Sequence, residues 1–190
     1  MSTYPDSTAV VAVLGADGLL GEAVLTALAD SGLPVAQVRA LVGEDAEGQR
    51  LAYGAAGLRA QLASGCDWRG IALVLATDDT ALAAEHLPRA RHAGVRLLDA
   101  SGWLAGETAV PFAVAGLNDA ALRDGAALAL PDAVTVALAR VLSPLAAAGL
   151  EHVGVTVLRA ASADGRPAIE ELANQTADLL NARPLVPCVR

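Results

Sequence analysis

Lysine is absent from this sequence of 190 residues: all thirteen of its basic residues are arginine. A chain without an ε-amino group contains neither a Schiff-base nucleophile nor the lysine of a phosphate-binding P-loop. The net charge of -8 repels the phosphate backbone of nucleic acids, and no run of arginines reverses that sign locally. These absences exclude two enzyme classes and predict that nucleic acid is not a partner.

Cysteine and histidine are scarce. The two cysteines, Cys66 and Cys188, are distant in sequence, and neither has a Cys or His neighbour at metal-ligand spacing. His86 and His92 fall on different faces of a predicted helix, so we expect exposed side chains rather than a metal pair. The sequence therefore predicts no metal site, no disulfide framework, and a reducing cytoplasm as the location.

Long apolar runs are also lacking. The N-terminal segment has no basic region of a signal peptide, and its apolar run is broken by Asp17. The apolar stretch 125–150 is interrupted by Pro131 and Arg140, so we expect no membrane span. Because 54% of the residues are hydrophobic but only 3% are aromatic, the core must be built from Ala, Val and Leu.

Short apolar segments alternate with amphipathic segments along the first 130 residues. The apolar segments predict strands at Val10–Leu14, Val38–Val42, Ile71–Ala76, Val95–Leu98, Phe112–Ala115 and Ala127–Leu130. Helical spacing predicts helices at Leu19–Ala29 and Asp79–Ala93. This alternation is typical of an α/β fold of Rossmann type, in which a mostly parallel sheet is doubly wound.

Three further elements are predicted beyond residue 130. Val134–Ala148 reads as a buried helix and His152–Leu158 as a strand. Pro167 opens a last helix whose apolar side chains, among them Leu172 and Leu179, share one face. These elements predict the beginning of a second α/β domain.

The strongest local motif is the glycine-rich turn between the first strand and the first helix. It consists of Gly15, Ala16, Asp17, Gly18, Leu19, Leu20 and Gly21. Glycines at this place let the backbone approach a pyrophosphate at the helix N-terminus. Glu44, after the second strand, is placed to accept hydrogen bonds from ribose hydroxyls, and with Asp45 it would repel a 2′-phosphate. The turn predicts a cofactor site that favours NAD over NADP.

A purely structural interpretation of the same turn stays open. The glycines could serve the geometry of a strand-to-helix connection alone. In that case Asp17 could cap the helix, taking the backbone donors that a phosphate would use and adding charge repulsion beside it.

Three segments resemble the aspartate-semialdehyde dehydrogenase family. They are GADGLLG at 15–21, DASGWLAGETAVPFAVAGLN at 99–118 and AIEELANQTADLLN at 168–181. The resemblance covers nearly the whole chain but only about the first half of a typical member, which implies a truncated member. It implies a Rossmann NAD(P)-binding domain at 1–130 and part of a dimerisation and catalytic-type domain at 131–190.

The resemblance also implies which family residues are missing. The nucleophilic cysteine falls at Ala133 or, with a shift of one residue, at Asp132, so no thiol stands there. The family's glutamine falls at Arg159, and its phosphate-binding arginine falls near Ala105. Without a thiol the chain cannot form the acyl-enzyme that aldehyde oxidation requires.

Two further residues, Ser101 and Asn118, match positions of the family's cofactor site. Together these features predict a dinucleotide-binding protein without dehydrogenase activity, acting as a homodimer or with a partner protein. The alternatives are an NAD(P)-dependent oxidoreductase acting on an aldehyde or acyl phosphate in amino-acid biosynthesis, its missing half supplied by another chain, and a truncated gene product.

Overall fold

The computed structural model describes residues 9–77, 79–146 and 148–185. Cys188 therefore lies outside the described part of the chain. The chain forms two compact units that divide between Val153 and Gly154.

The first unit alternates strands and helices. Its strands are β1 (Val10–Leu14), β2 (Val38–Val42), β3 (Arg50–Tyr53), β4 (Ala56–Arg59), β5 (Gln61–Leu62), β6 (Ile71–Ala76), β7 (Arg96–Asp99) and β8 (Ala127–Ala129). Its helices are α1 (Leu19–Asp30), α2 (Thr80–His92), α3 (Asp119–Asp124) and α4 (Ala133–Ala146).

Six of these strands form one parallel sheet in the order β5-β2-β1-β6-β7-β8. Strand β1 lies at its centre, with Val13 opposite Ala40 of β2 on one side and Leu75 of β6 on the other. The strand order reverses direction at β1, which is the arrangement of a doubly wound sheet. The predicted Rossmann-type α/β fold is confirmed.

Side chains alternate across this sheet and build a core on each face. On one face Leu14 and Leu41 pack with Leu87 of α2, and on the other Val13 packs with Leu25 of α1. These side chains are at most 1% exposed. The two faces explain the apolar strand sequences, because a strand covered on both sides needs apolar residues at every position.

Several elements differ from those that the sequence predicts. Strands β3 and β4 form a separate antiparallel hairpin, with Ala52 opposite Gly57, where no strand was predicted. The predicted strand Phe112–Ala115 is reduced to a single bridge between Phe112 and Ala129. The prediction of a strand at His152–Leu158 is wrong, because these residues join no sheet among the described residues and Leu158 is 96% exposed.

Helix α4 confirms the predicted helix but not its burial. None of its residues is buried, and Val141 is 63% exposed. Pro144 lies inside the helix near its C-terminal end. Its apolar side chains are at most partly buried, so the prediction of a buried helix is wrong.

Among the described residues of the second unit, the one long helix is α5 (Gly165–Leu180). The predicted helix is confirmed, although it begins two residues before Pro167. Its apolar face points away from the rest of its unit: Leu172 is 55% and Leu180 is 83% exposed, whereas Glu171 and Gln175 are partly buried.

Neither a membrane-spanning helix nor a metal site is found where the chain is described. No helix in residues 9–77, 79–146 and 148–185 is long and apolar enough to cross a membrane. The same residues contain no group of three or more His, Cys, Asp or Glu side chains that could hold a metal ion.

Candidate functional site

The carboxyl ends of the parallel strands bring most of the predicted site residues to one edge of the sheet. Gly15 follows β1, Thr77 follows β6, and Ser101 lies two residues beyond β7. Glu44 lies two residues beyond β2. Ligands of open α/β sheets bind at this edge, next to the point where the strand order reverses. The carboxyl edge beside β1 is therefore the candidate site.

The glycine-rich turn has a backbone that needs glycine at its first position. Gly15 has φ +80°, in the left-handed region that favours glycine. Its N–H donates to the carbonyl of Leu41 at 2.9 Å, and its own carbonyl accepts from Gly18 N–H at 3.1 Å. The turn is therefore tied both to strand β2 and to the start of α1.

The last glycine of the turn lets helix α1 approach the strand closely. A Cβ at Gly21 would lie 2.2 Å from the carbonyl oxygen of Gly15 and 2.7 Å from Cα of Ala16. Gly18 is the N-cap of α1, with extended backbone and no side chain to cap the helix. The three glycines thus provide a tight turn, an N-cap position without a side chain and close packing, which are the backbone requirements of a dinucleotide site. This backbone fits a pyrophosphate.

Thr77 is a residue of this site that the sequence analysis missed. It is 2% exposed, and its hydroxyl oxygen lies 2.9 Å from the carbonyl of Leu14 and 2.8 Å from that of Gly15. A Cβ at Gly15 would lie 2.7 Å from this hydroxyl oxygen. Thr77 therefore fixes the first glycine from the neighbouring strand, and any side chain at position 15 would collide with it.

Asp99 is a second missed residue, at the end of β7. Its carboxylate is fully buried and accepts hydrogen bonds from the N–H of Ser101 at 2.9 Å and from its hydroxyl at 2.6 Å. The other oxygen accepts from Leu104 N–H at 2.7 Å. Thr80 at the start of α2 donates to the carbonyl of Ser101 at 2.6 Å. Asp99 thus holds Ser101 at the carboxyl edge.

Asn118 lies in the segment that follows the bridge between Phe112 and Ala129. Its side-chain oxygen accepts from Val114 N–H at 2.8 Å, and its side-chain nitrogen donates to the carbonyl of Phe112. Both ends of the amide are thus engaged by the turn that they shape. A ligand would meet this side chain only through its remaining hydrogen-bonding capacity.

The acidic residues considered for the cofactor site lie at its rim. Glu44 and Asp45 are exposed in a short 3₁₀ turn after β2, and Asp17 is half-buried beside the start of α1. Within the described part of the chain, the Asp17 carboxylate makes no hydrogen bond to α1, so the capping role considered for it is not seen. Its charge remains next to the helix N-terminus.

The predicted position of the missing thiol is the first turn of α4. Asp132 precedes the helix, and its carboxylate accepts from Thr135 N–H at 2.8 Å, while its carbonyl accepts from Val136 N–H at 2.9 Å. Ala133, the first helical residue, is exposed. Asp132 is thus a helix cap, and Ala133 offers only a methyl group at the helix N-terminus.

The other two positions named by the family resemblance, Arg159 and Ala105, are both exposed. Arg159, in the second unit, is exposed and its guanidinium lies 3.4 Å from the carboxylate of Asp164. Ala105 is exposed in a 3₁₀ turn of the first unit, beside the buried Leu104.

A cleft of about 600 Å³ lies at the opposite, amino edge of the sheet. It is lined by the loop before β6, which contains Cys66 and Trp68, and by the last turns of α2, including Arg89. Burial raises the pKa of the Cys66 thiol, although the guanidinium of Arg39 opposes that shift. A thiol of raised pKa is a poor nucleophile, which agrees with the packing role that its partial burial suggests.

Comparison with known proteins identifies relatives of this chain. Residues 10–125 match the family model described as semialdehyde dehydrogenase, NAD binding domain. The USG-1 protein homolog of Pseudomonas aeruginosa is 35% identical over 181 residues, which are 93% of this chain and 54% of that protein. Aspartate-semialdehyde dehydrogenase 2 of Vibrio cholerae is 32% identical over 178 residues, 92% of this chain and 53% of that protein.

A solved structure gives the same relationship. The crystal structure of aspartate semialdehyde dehydrogenase II from Vibrio cholerae superposes with a TM-score of 0.84 and 31% sequence identity, covering 94% of this chain and 55% of that one. The chain thus spans about half the length of the curated relatives that it matches.

Proposed function

Because the chain belongs to the semialdehyde dehydrogenase family, through that family's NAD-binding domain, we propose that it is a dinucleotide-binding protein without dehydrogenase activity. The observation that carries this proposal is the first turn of α4. Asp132 serves there as the helix cap, and Ala133 follows it as an exposed first residue. Neither side chain is a thiol.

The chemistry of aldehyde oxidation explains why this position matters. A thiolate attacks the aldehyde carbonyl to give a thiohemiacetal, and hydride loss then leaves an acyl-enzyme for phosphate to cleave. The methyl group of Ala133 has no lone pair for this attack. The carboxylate of Asp132 is engaged by Thr135, with one oxygen 2.8 Å from its N–H and the other 3.3 Å from its hydroxyl. The chain therefore lacks a nucleophile at the point where the family resemblance expects one.

The experiment is an activity assay of the full chain with aspartate semialdehyde, phosphate and either NAD or NADP. Cofactor reduction is followed by nicotinamide absorbance, with the Vibrio cholerae aspartate-semialdehyde dehydrogenase 2 as the active reference. We expect no rate above that of a reaction without the chain. Reduction that requires both the chain and the semialdehyde would overturn the proposal and favour an NAD(P)-dependent oxidoreductase.

We propose that the cofactor contacts come from the glycine-rich turn, Glu44, Ser101 and Asn118. The turn, residues 15–21, would hold the pyrophosphate through backbone N–H groups at the start of α1. Glu44 would accept hydrogen bonds from the adenosine ribose, and its charge together with that of Asp45 disfavours a 2′-phosphate, so NAD is expected to bind more tightly than NADP. NAD, when bound, supplies a hydride acceptor. The chain's own residues only bind and orient it.

We also propose that the protein acts in the cytoplasm, as a homodimer or with a partner protein. The support is the exposed apolar surface of α5, where Leu172, Leu179 and Leu180 are each more than half exposed. An apolar helix face of this kind is favoured at an interface between subunits.

A further inference from the structure

Charge is unevenly distributed over the two edges of the parallel sheet. Acidic residues gather where the strands end and the following helices begin, namely Asp17, Glu44, Asp45, Asp79 and Asp132. Arginines gather at the opposite edge, namely Arg69, Arg89, Arg91, Arg96 and Arg123. This pattern follows the helix dipoles, which favour acidic residues at helix starts and basic residues at helix ends. It leaves the candidate site negatively charged.

Asp79 is an acidic residue outside the glycine-rich turn whose position relative to Gly15 is defined. As N-cap of α2 it accepts a hydrogen bond from Leu82 N–H at 2.8 Å, so its carboxylate is held in place. Its Cβ lies 3.9 Å from the point where a Cβ on Gly15 would stand. The side chain is thus fixed across from the turn that approaches a pyrophosphate, although it comes from a different strand-to-helix connection.

We propose that Asp79 is a specificity-determining residue that weakens the binding of phosphate-bearing ligands at the glycine-rich turn. This inference rests on the proposed function, because it concerns the same site. The backbone of the turn fits a pyrophosphate, but the carboxylate of Asp79, whose Cβ lies beside Gly15, would repel the two negative charges of that group. A nucleoside without phosphate has no such charge and escapes the repulsion. Asp79 therefore lowers the affinity of the site for NAD relative to its affinity for the uncharged nucleoside.

The experiment compares Asp79→Asn with the unchanged full chain. Asparagine is as good an N-cap as aspartate, so this substitution removes the charge and keeps the cap of α2. Asp30→Asn is the matched control, since Asp30 is exposed at the far end of α1 and its loss changes the net charge equally. Asp79→Ser is a second variant that also retains capping. Melting temperatures of all variants are measured first.

Binding of NAD, NADP and adenosine is then measured by calorimetry at low and high salt. We expect Asp79→Asn to tighten NAD binding by about three- to tenfold at low salt, because one carboxylate near a phosphate in a partly hydrated site has an effect of that order. Adenosine binding should stay unchanged, and the gain should shrink at high salt, which screens exposed charges. Asp79→Ser should behave like Asp79→Asn, and Asp30→Asn like the unchanged chain.

The outcomes separate this inference from the proposed function. Equal effects of Asp79→Asn and Asp30→Asn, or equal gains for NAD and adenosine, would overturn the role of Asp79 while leaving a nucleotide site. Absence of binding for all three compounds, in the chain and in every folded variant, would overturn both. Saturable NAD binding that is insensitive to Asp79→Asn would support the proposed function alone.

Discussion

At the scale of single residues, His86 is the buried group whose titration should be visible in stability. It lies on α2 with 2% exposure, and its Nδ1 has no hydrogen-bond partner among the described residues. Burial lowers the pKa of this imidazole, although the carboxylate of Glu85, 3.6 Å from Nε2, opposes the shift. The fold therefore favours the neutral ring.

The sign of the resulting pH dependence follows from this lowered pKa. Below about pH 6.5 the unfolded chain binds a proton that the folded chain refuses, so the free energy of unfolding falls as the pH drops toward the folded pKa. The slope is at most about 1.4 kcal/mol per pH unit. Urea unfolding is measured at pH 7.5 and at pH 5.5, about one unit to either side of pH 6.5. We expect the free energy of unfolding to be lower at pH 5.5, and we expect His86→Leu to reduce this difference.

His92 provides the control for that experiment, because it is exposed on the same helix. His92→Leu should leave the pH dependence as it is in the unchanged chain. If His86→Leu and the unchanged chain lose stability in parallel between these pH values, the lowered pKa of His86 is not the cause.

Buried polar residues are also where sequence reasoning failed. His86 was predicted to be exposed and is buried, while Thr77 and Asp99 were not singled out at all. The partner of the Thr77 hydroxyl, the carbonyl of Leu14, is 63 positions away in sequence, so only the pairing of β1 with β6 brings the two together. The glycine pattern, in contrast, was readable, because it is a local property of one turn.

At the scale of elements, the packing of α1 on the glycine-rich turn depends on Gly21. A methyl group there would meet the backbone of Gly15 and Ala16, which cannot move without disturbing β1. We expect Gly21→Ala to lower the free energy of unfolding by about 3 kcal/mol, in the upper range for an overpacked site. Urea denaturation of the full chain measures this change.

Gly65→Ala is the matched control for this substitution. A Cβ at Gly65 would meet open space, and the residue lies in a short exposed turn, so its replacement should change stability by no more than about 0.5 kcal/mol. Similar losses in both variants would contradict the close approach of α1 to the turn.

Elements were predictable where their pattern was strong. Val10–Leu14, Val38–Val42 and Ile71–Ala76 are strands with the predicted bounds, because their apolar runs reflect burial on both sheet faces. The hairpin of β3 and β4 was missed because none of its strand residues is β-branched. Its position is set by a distant contact instead, the hydrogen bond from the Tyr53 hydroxyl to the carbonyl of Leu33 at 2.6 Å.

At the scale of the whole molecule, the exposed face of α5 leads to a prediction about assembly. We expect light scattering of the full chain to give twice the mass of a monomer, because Leu172 and Leu179 would otherwise remain 55% and 62% exposed. Leu172→Glu places a charge in that interface and should give monomers.

Asn174→Glu introduces the same charge on the opposite side of α5 and should leave the dimer intact. A monomer at all concentrations, or equal effects of the two glutamates, would contradict this face as the interface. Hydrophobic spacing in the sequence identifies the apolar face of α5 but says nothing about what covers it.

The two outermost strands of the parallel sheet are very short. Strand β5 has two residues and β8 has three, and Ala129 of β8 already pairs with Phe112. An extended segment from another molecule could therefore pair with few backbone N–H and C=O groups at either edge strand. The six-stranded sheet is thus a poor template for fibril growth, because strand addition needs a long open border.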